Sequence, residues 1–196
     1  MIGLAWPFFS VLGLLAAPIV ETLYGPQWRG AAPLVQAMCL GAFPLALTAI
    51  SMDALTGVGQ IRSVFRINLV MAAVHVGLTL AAAPHGLLAV AFTLQLAPVL
   101  RLVMVDRALG RYVGPRLRDM YKSIRLNLLA SLITAMPALT GILAFGPTLD
   151  YSVVLLLAVL GASACAWLGS IYLLKPPVYK EIDPIMRRLN DVVFHR

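Results

Sequence analysis

The chain has 196 residues, of which 61% are hydrophobic and 12% are charged, with a mean hydropathy of +0.91. Soluble globular domains carry about 25% charged residues, so this composition excludes them and indicates a chain that lies in lipid. The net charge of +7 suggests an anionic partner. Anionic headgroups of a lipid bilayer account for that attraction, so no nucleic-acid partner is predicted.

Six apolar stretches are each long enough to cross a bilayer. A crossing helix needs roughly 17 to 25 residues, because all its backbone polar groups must be satisfied within the segment. The predicted fold class is therefore an all-α integral membrane protein with six transmembrane helices. A basic connection over residues 106–125 is predicted to hold a cytoplasmic surface helix, and residues 175–196 a cytoplasmic tail. The predicted helices cover residues 2–23, 30–55, 65–83, 87–105, 126–145 and 151–174.

The basic residues predict the orientation of these helices, because Lys and Arg in short connections are retained on the cytoplasmic face. If both termini are cytoplasmic, only Arg29 of the 15 Lys and Arg residues falls on the outer side. Tyr24 and Trp28 lie beside it, at the level where amphipathic rings prefer to sit. We therefore predict a multi-pass protein with both termini in the cytoplasm.

Polar residues at membrane depth are costly, so they are the candidates for function. His75 lies near the middle of the third predicted helix and Gln95 near the middle of the fourth, so both could face a shared interior. For each, a packing role and a functional role are both open. Arg101, one turn from the predicted end of the fourth helix, could extend to the headgroups or hold an anion in a cavity.

Asp53 lies near the inner end of the second predicted helix, where an unpaired carboxylate tends to take up a proton. Arg62 or Arg66 is its natural partner. Two interpretations stay open: an ion pair that holds the second connection to the third helix, or a site for a proton or coupling ion.

Features of three helices bear on packing. Pro7, Pro18 and Pro44 remove backbone hydrogen bonds and permit kinks. In the sixth helix, small residues recur at four-residue spacing, a pattern that lets helices approach closely and predicts a packing face. These small residues are Gly161, Cys165 and Gly169. The two cysteines, Cys39 and Cys165, are predicted to be small buried apolar residues.

Motifs for catalysis are missing from the sequence, which has no metal-binding His-Glu-x-x-His, phosphate-binding glycine loop or Gly-x-Ser-x-Gly element. The three histidines, at positions 75, 85 and 195, fall at different depths and could not share a metal. We therefore predict no enzymatic activity, no catalytic residues, no metal site and no cofactor.

The first connection carries a family resemblance. Residues 19–33 read IVETLYGPQWRGAAP, in which Leu23-Tyr24-Gly25 is followed by two variable residues, then Trp28 and a helix that begins with small residues. This segment resembles bacterial polysaccharide transporters of the Wzx type, in the multidrug/oligosaccharidyl-lipid/polysaccharide flippase superfamily. Residues 55–60 and 84–91 resemble the inner and outer turns that follow in that family.

The resemblance implies one six-helix lobe of a transporter that moves a polyprenyl-pyrophosphate-linked oligosaccharide across the bacterial inner membrane, for lipopolysaccharide or other cell-envelope polysaccharide. It also implies a missing N-terminal lobe, so a truncated product, a fragment or half of a split transporter is expected. If this chain lines half of a common cavity, we expect Arg66, His75, Gln95 and Arg101 to bind substrate and Asp53 to couple an ion.

Other functions fit the same architecture. A drug or cation antiporter of this superfamily would hold acidic residues in its cavity, whereas the arginines here favour an anionic substrate. A membrane-embedded acyltransferase would need an acid, base or metal cluster, which the sequence does not provide. A nonfunctional remnant is a further alternative.

Overall fold

A computed structural model describes residues 2–112, 121–146 and 153–174, and these ranges are all helical with no strand. The predicted tail and residues 113–120 of the predicted basic connection lie outside the described residues. The helices are α1 (Ile2–Leu14), α2 (Ala16–Tyr24), α3 (Ala32–Gly57), α4 (Ile61–Ala82), α5 (Leu87–Leu94), α6 (Leu96–Tyr112), α7 (Tyr121–Phe145) and α8 (Val153–Leu174). Short 3-10 turns at Pro26–Ala31 and Ala83–His85 precede α3 and α5.

Five stretches of the described chain are long and apolar enough to cross a membrane, and α1 with α2 makes a sixth if that bent pair counts as one span. These stretches follow the apolar runs of the sequence in order and number. They are Pro26–Gly57, Ile61–His85, Leu87–Tyr112, Ile124–Ala144 and Val153–Leu173.

The stretch predicted as one helix over residues 2–23 is bent by 73° between α1 and α2, at Leu15. Pro18 explains the position of the bend, because it offers no N–H to the carbonyl of Leu14 and its ring crowds that carbonyl. Pro44 lies inside α3, which continues unbroken to Gly57. A proline therefore permits a break without requiring one.

A second break interrupts the predicted helix 87–105 at Gln95, between α5 and α6. Gln95 stands three residues before Pro98, as Leu15 stands three residues before Pro18. The missing N–H of the proline again weakens the turn that precedes it. After the break, α6 runs to Tyr112, seven residues beyond the predicted end at 105.

Two groups of helices form two cores. In the first, α1 packs with α7 and α8 around Val11, Leu15, Ala138, Leu156 and Val159. In the second, α3, α4 and α6 enclose a separate set of apolar side chains, and α3 also packs against α1. The last two described helices therefore return to the first one. The second core consists of Leu55, Ile67, Met71, Val105 and Leu109.

Pro7 illustrates how the first group satisfies its backbone. Because Pro7 has no N–H, the carbonyl of Gly3 lacks its helical partner. The indole Nε1 of Trp167 on α8 donates to this Gly3 oxygen at 3.0 Å. A side chain from α8 thus replaces the hydrogen bond that the proline removes, and α1 continues through Pro7 without a break.

The predicted packing face of α8 has no neighbour in the described chain. A Cβ placed on Gly161 or on Gly169 would meet nothing within 4 Å. Cys165 between them is exposed, whereas Cys39 on α3 is buried against Gly13 of α1. The prediction of a buried apolar cysteine is therefore confirmed for Cys39 and wrong for Cys165, because the small-residue row on α8 faces outward.

In the turn between α2 and α3, Arg29 pairs with the carboxylate of Glu21 on α2. Its Nε donates to Glu21 Oε2 at 3.2 Å, and its Nη2 donates to the other carboxylate oxygen. This two-point pairing neutralises Arg29, the one basic residue that is predicted to lie on the outer side of the membrane. Gly25, in the same turn, has φ of 91°, a conformation that glycine adopts at no steric cost.

Candidate functional site

A row of exposed polar side chains runs along one face of α4. Asn68, His75 and Thr79 are spaced by seven and four residues, which places them on one side of a helix. We call these three residues the α4 polar stripe. Ile67 and Met71, on the neighbouring face, are buried in the second core. That core fixes the rotation of α4 and so turns the stripe outward.

Arg101 joins the stripe from α6. Its Nη2 donates to Asn68 Oδ1 at 3.1 Å, while its Nε is buried and has no hydrogen-bond partner among the described residues. A guanidinium has five N–H donors arranged to meet an anion at two points. Because α6 extends to Tyr112, Arg101 lies eleven residues, or about 16 Å, from its end and not one turn as predicted.

The ring of His75 is held by its own helix. Its Nδ1 lies 2.8 Å from the carbonyl oxygen of Met71, so this nitrogen carries the proton and donates it. In the neutral ring, Nε2 is then left as a hydrogen-bond acceptor on the exposed side of α4. The stripe therefore offers an amide, an acceptor nitrogen and a hydroxyl, with a cation beside the amide.

Gln95 is placed differently from the expectation of an interior shared with His75. Its Nε2 donates to Ala91 O at 2.8 Å. Its Oε1 lies only 1.8 Å from the position that a Cβ on Gly41 would occupy. The Gln95 amide therefore packs the α5–α6 break against α3. Within residues 2–112, no hydrogen bond joins it to the α4 polar stripe.

Arg66 also differs from the expectation of a common cavity. It is exposed on α4 nine residues before His75, a separation of about 180° around the helix. The expectation that one cavity is lined by Arg66, His75 and Gln95 is thus wrong. It considered the depth of each residue in the membrane and not the face of the helix on which each residue lies. The structure joins Arg101 to Asn68 by a hydrogen bond, and His75 lies on the same face of α4, about 10 Å further along the helix. Arg66 and Gln95 are not part of this row.

Asp53 is exposed on α3. In residues 2–112, neither Arg62 nor Arg66 forms an ion pair with it, so the pairing that would hold the second connection is not observed. Its role in coupling an ion stays a prediction.

Asn68 is the residue that sequence reasoning missed. The signal was present, because Asn68 precedes His75 by seven residues and so shares its face on any helix.

In the described ranges, no group of three His, Cys, Asp or Glu residues could hold a metal ion. Comparisons with protein-family models, with curated proteins and with solved structures gave no match.

Proposed function

We propose that this chain is one lobe of a membrane transporter that moves a lipid-linked oligosaccharide across the bacterial inner membrane, with both termini in the cytoplasm. The observation that carries the proposal is the α4 polar stripe with Arg101. Exposed apolar side chains, including Leu69 and Val76, flank this polar row on a helix long and apolar enough to cross a bilayer. Polar groups at that depth require a protein or a water-filled cavity beside them.

The chemistry of the row suits the proposed substrate. Arg101 supplies a guanidinium, the group that binds a pyrophosphate at two points. Asn68, His75 and Thr79 extend over eleven residues, or about 16 Å, and offer donors and acceptors that sugar hydroxyls can meet. We therefore assign the pyrophosphate to the Arg101 end of the row and the sugars to the His75 and Thr79 end.

The other candidate residues take different roles in this proposal. Gln95 packs the junction of α5 and α6 against α3, and so takes a structural role in this proposal. Asp53, an exposed carboxylate on α3, would couple transport to an ion. A second lobe would close the cavity, and transport would proceed by one lobe rocking against the other.

Water access to the stripe tests the cavity. Cysteine is placed at each stripe position in a chain that carries Cys39→Ala and Cys165→Ala, expressed in its native membrane. We expect a membrane-impermeant thiol reagent to label the stripe positions. Cysteines at Leu69 and Val76, which are also exposed on α4, serve as matched controls that face lipid. Equal labelling of stripe and control positions would contradict the cavity.

Export tests the substrate. A flippase-deficient strain is complemented by the chain alone and with a candidate first lobe. We expect export only with both lobes, and a tenfold to hundredfold loss with Arg101→Gln, since hydrogen bonds to charged groups contribute about 1.5–3 kcal/mol. Arg62→Gln, an exposed arginine at the start of α4, is the control and should retain export. Full export by Arg101→Gln would contradict the assigned role.

A further inference from the structure

The start of α4 and the end of α6 bring two arginines together, and we call Arg66 and Arg111 the arginine pair. The Tyr112 hydroxyl interacts with the side chains of Ser63 and Arg111, and the Arg66 guanidinium is close enough to act on it electrostatically. Tyr112 thus holds the end of α6 against α4, which places Arg111 near Arg66. Because Arg66 lies about 180° around α4 from His75, the pair is separate from the α4 polar stripe.

The arginine pair is open to a ligand. Both side chains are exposed, and no carboxylate of the described chain forms an ion pair with either. Two guanidinium groups close together repel each other, so an anion that meets both of them is favoured at this end of the molecule. An open groove of about 380 Å³ gives direct access to Arg66. Its described lining is Ile61, Arg62, Phe65 and Arg66.

Exposed apolar side chains continue from this groove along α4. Phe65, Leu69 and Val76 are each more than half exposed, and their spacing of four and seven residues places them on one face of the helix. From Phe65 to Val76 is eleven residues, or about 16 Å, which matches one half of the roughly 30 Å hydrocarbon layer. A hydrocarbon chain whose polar end lies at Arg66 therefore meets an apolar surface along the depth of one leaflet.

We propose that the arginine pair binds the phosphate of an anionic phospholipid, with one acyl chain packed along Phe65, Leu69 and Val76. Basic pockets between membrane helices bind anionic headgroups in this way. The lipid is anionic because the ammonium group of a zwitterionic headgroup is repelled by two neighbouring guanidiniums. A lipid fits better than a free phosphate, because the apolar row begins beside Arg66 and a free phosphate would leave it unused.

The test uses the full chain in a neutral detergent and native mass spectrometry, which counts each bound lipid by its mass. The probes are palmitoyl-oleoyl phosphatidylglycerol and palmitoyl-oleoyl phosphatidylcholine, which share their acyl chains and differ in net charge. One arginine near the membrane surface raises the affinity for an anionic lipid roughly fivefold, so the pair should give a preference of roughly 25-fold for the first bound phosphatidylglycerol. Equal binding of the two lipids would overturn the proposal.

Variants separate the arginine pair from the overall charge of the chain. Arg66→Gln and Arg111→Gln should each lower the preference roughly fivefold, and Arg66→Lys should retain most of it. The matched control is Arg29→Gln, which removes the same formal charge beyond the opposite end of α3, where Arg29 already pairs with Glu21. It should leave the preference unchanged. If Arg29→Gln lowers the preference as much as Arg66→Gln does, only the net charge of the chain matters and the proposal fails.

Glycerol 3-phosphate distinguishes a lipid from a soluble anion, because it carries the phosphate without the acyl chains. Added in large excess over phosphatidylglycerol, it should leave the bound lipid in place. Displacement of the lipid under these conditions would indicate a site for a soluble phosphate and would overturn the proposal.

Discussion

Gly41 gives the sharpest test of how the broken helix is held. In the structure, a Cβ at Gly41 would lie 1.8 Å from Gln95 Oε1 and 3.0 Å from Gln95 Cδ, distances that no packed side chain tolerates. Gly41→Ala must therefore displace the Gln95 amide. The displaced amide loses its hydrogen bond to the carbonyl oxygen of Ala91.

Two opposing terms set the size of the effect. The Gln95 amide is half-buried, so leaving it without its hydrogen bond costs at most the value for a buried group, about 1–3 kcal/mol. Alanine in place of glycine inside a helix gains about 1 kcal/mol. We expect Gly41→Ala to lower the free energy of unfolding by about 0–2 kcal/mol. In a Gln95→Ala background the clash is absent, so Gly41→Ala should raise the free energy of unfolding by about 1 kcal/mol.

The measurement is a double-mutant cycle on the full chain, unfolded reversibly in mixed micelles and followed by circular dichroism. The reasoning gives a coupling energy of about 1–3 kcal/mol between positions 41 and 95. Gly77→Ala on α4 is the control, because a Cβ there meets nothing within 4 Å, and it should be neutral or stabilising. Additive effects at positions 41 and 95, within about 0.5 kcal/mol, would refute the packing of Gln95 on Gly41.

Three further changes test other parts of the fold. Pro18→Ala restores an N–H for Leu14 and should straighten the 73° bend, so that spin labels at Leu4 and Leu23 move apart by about 5 Å. Gly86→Ala should cost about 1–2 kcal/mol in thermal unfolding, because its φ of 93° is unfavourable for a residue with a Cβ. Trp167→Phe leaves the Gly3 carbonyl without a partner and should cost about 1–3 kcal/mol by the same measurement.

Each of these changes has a counterpart that should have little effect. Pro7→Ala lies within an unbroken helix, so the label distance should stay the same. Gly30→Ala places a methyl group in open space. Trp28→Phe alters an exposed ring. If a counterpart changes its readout as much as the variant that it accompanies, the local explanation for that variant is wrong.

The apolar runs of the sequence were enough to predict an all-helical chain and the order of its long helices. They were not enough to place the breaks. Pro7 and Pro44 lie in unbroken helices while Pro18 follows a bend, and for Pro7 the difference depends on Trp167, which is distant in sequence. The end of α6 was missed because its last residues are charged yet helical.

The candidate site was only partly predictable for a related reason. Sequence position gives the depth of a residue along a helix, and on that basis His75 and Gln95 looked equivalent. Their faces depend on tertiary packing: the second core turns His75 outward, and Gly41 receives Gln95. The pairing of Arg101 with Asn68 joins residues 33 apart, so it could be found only after α4 and α6 were placed side by side.

The hydrogen bond between Trp167 and Gly3 spans 164 positions of the chain. A ribosome adds about 5–20 residues per second, so on the order of 10 to 30 s separates the synthesis of α1 from that of its partner in α8. For most of that interval, neither α7 nor α8 exists to pack against α1. The core that contains the first helix to be made is therefore completed last.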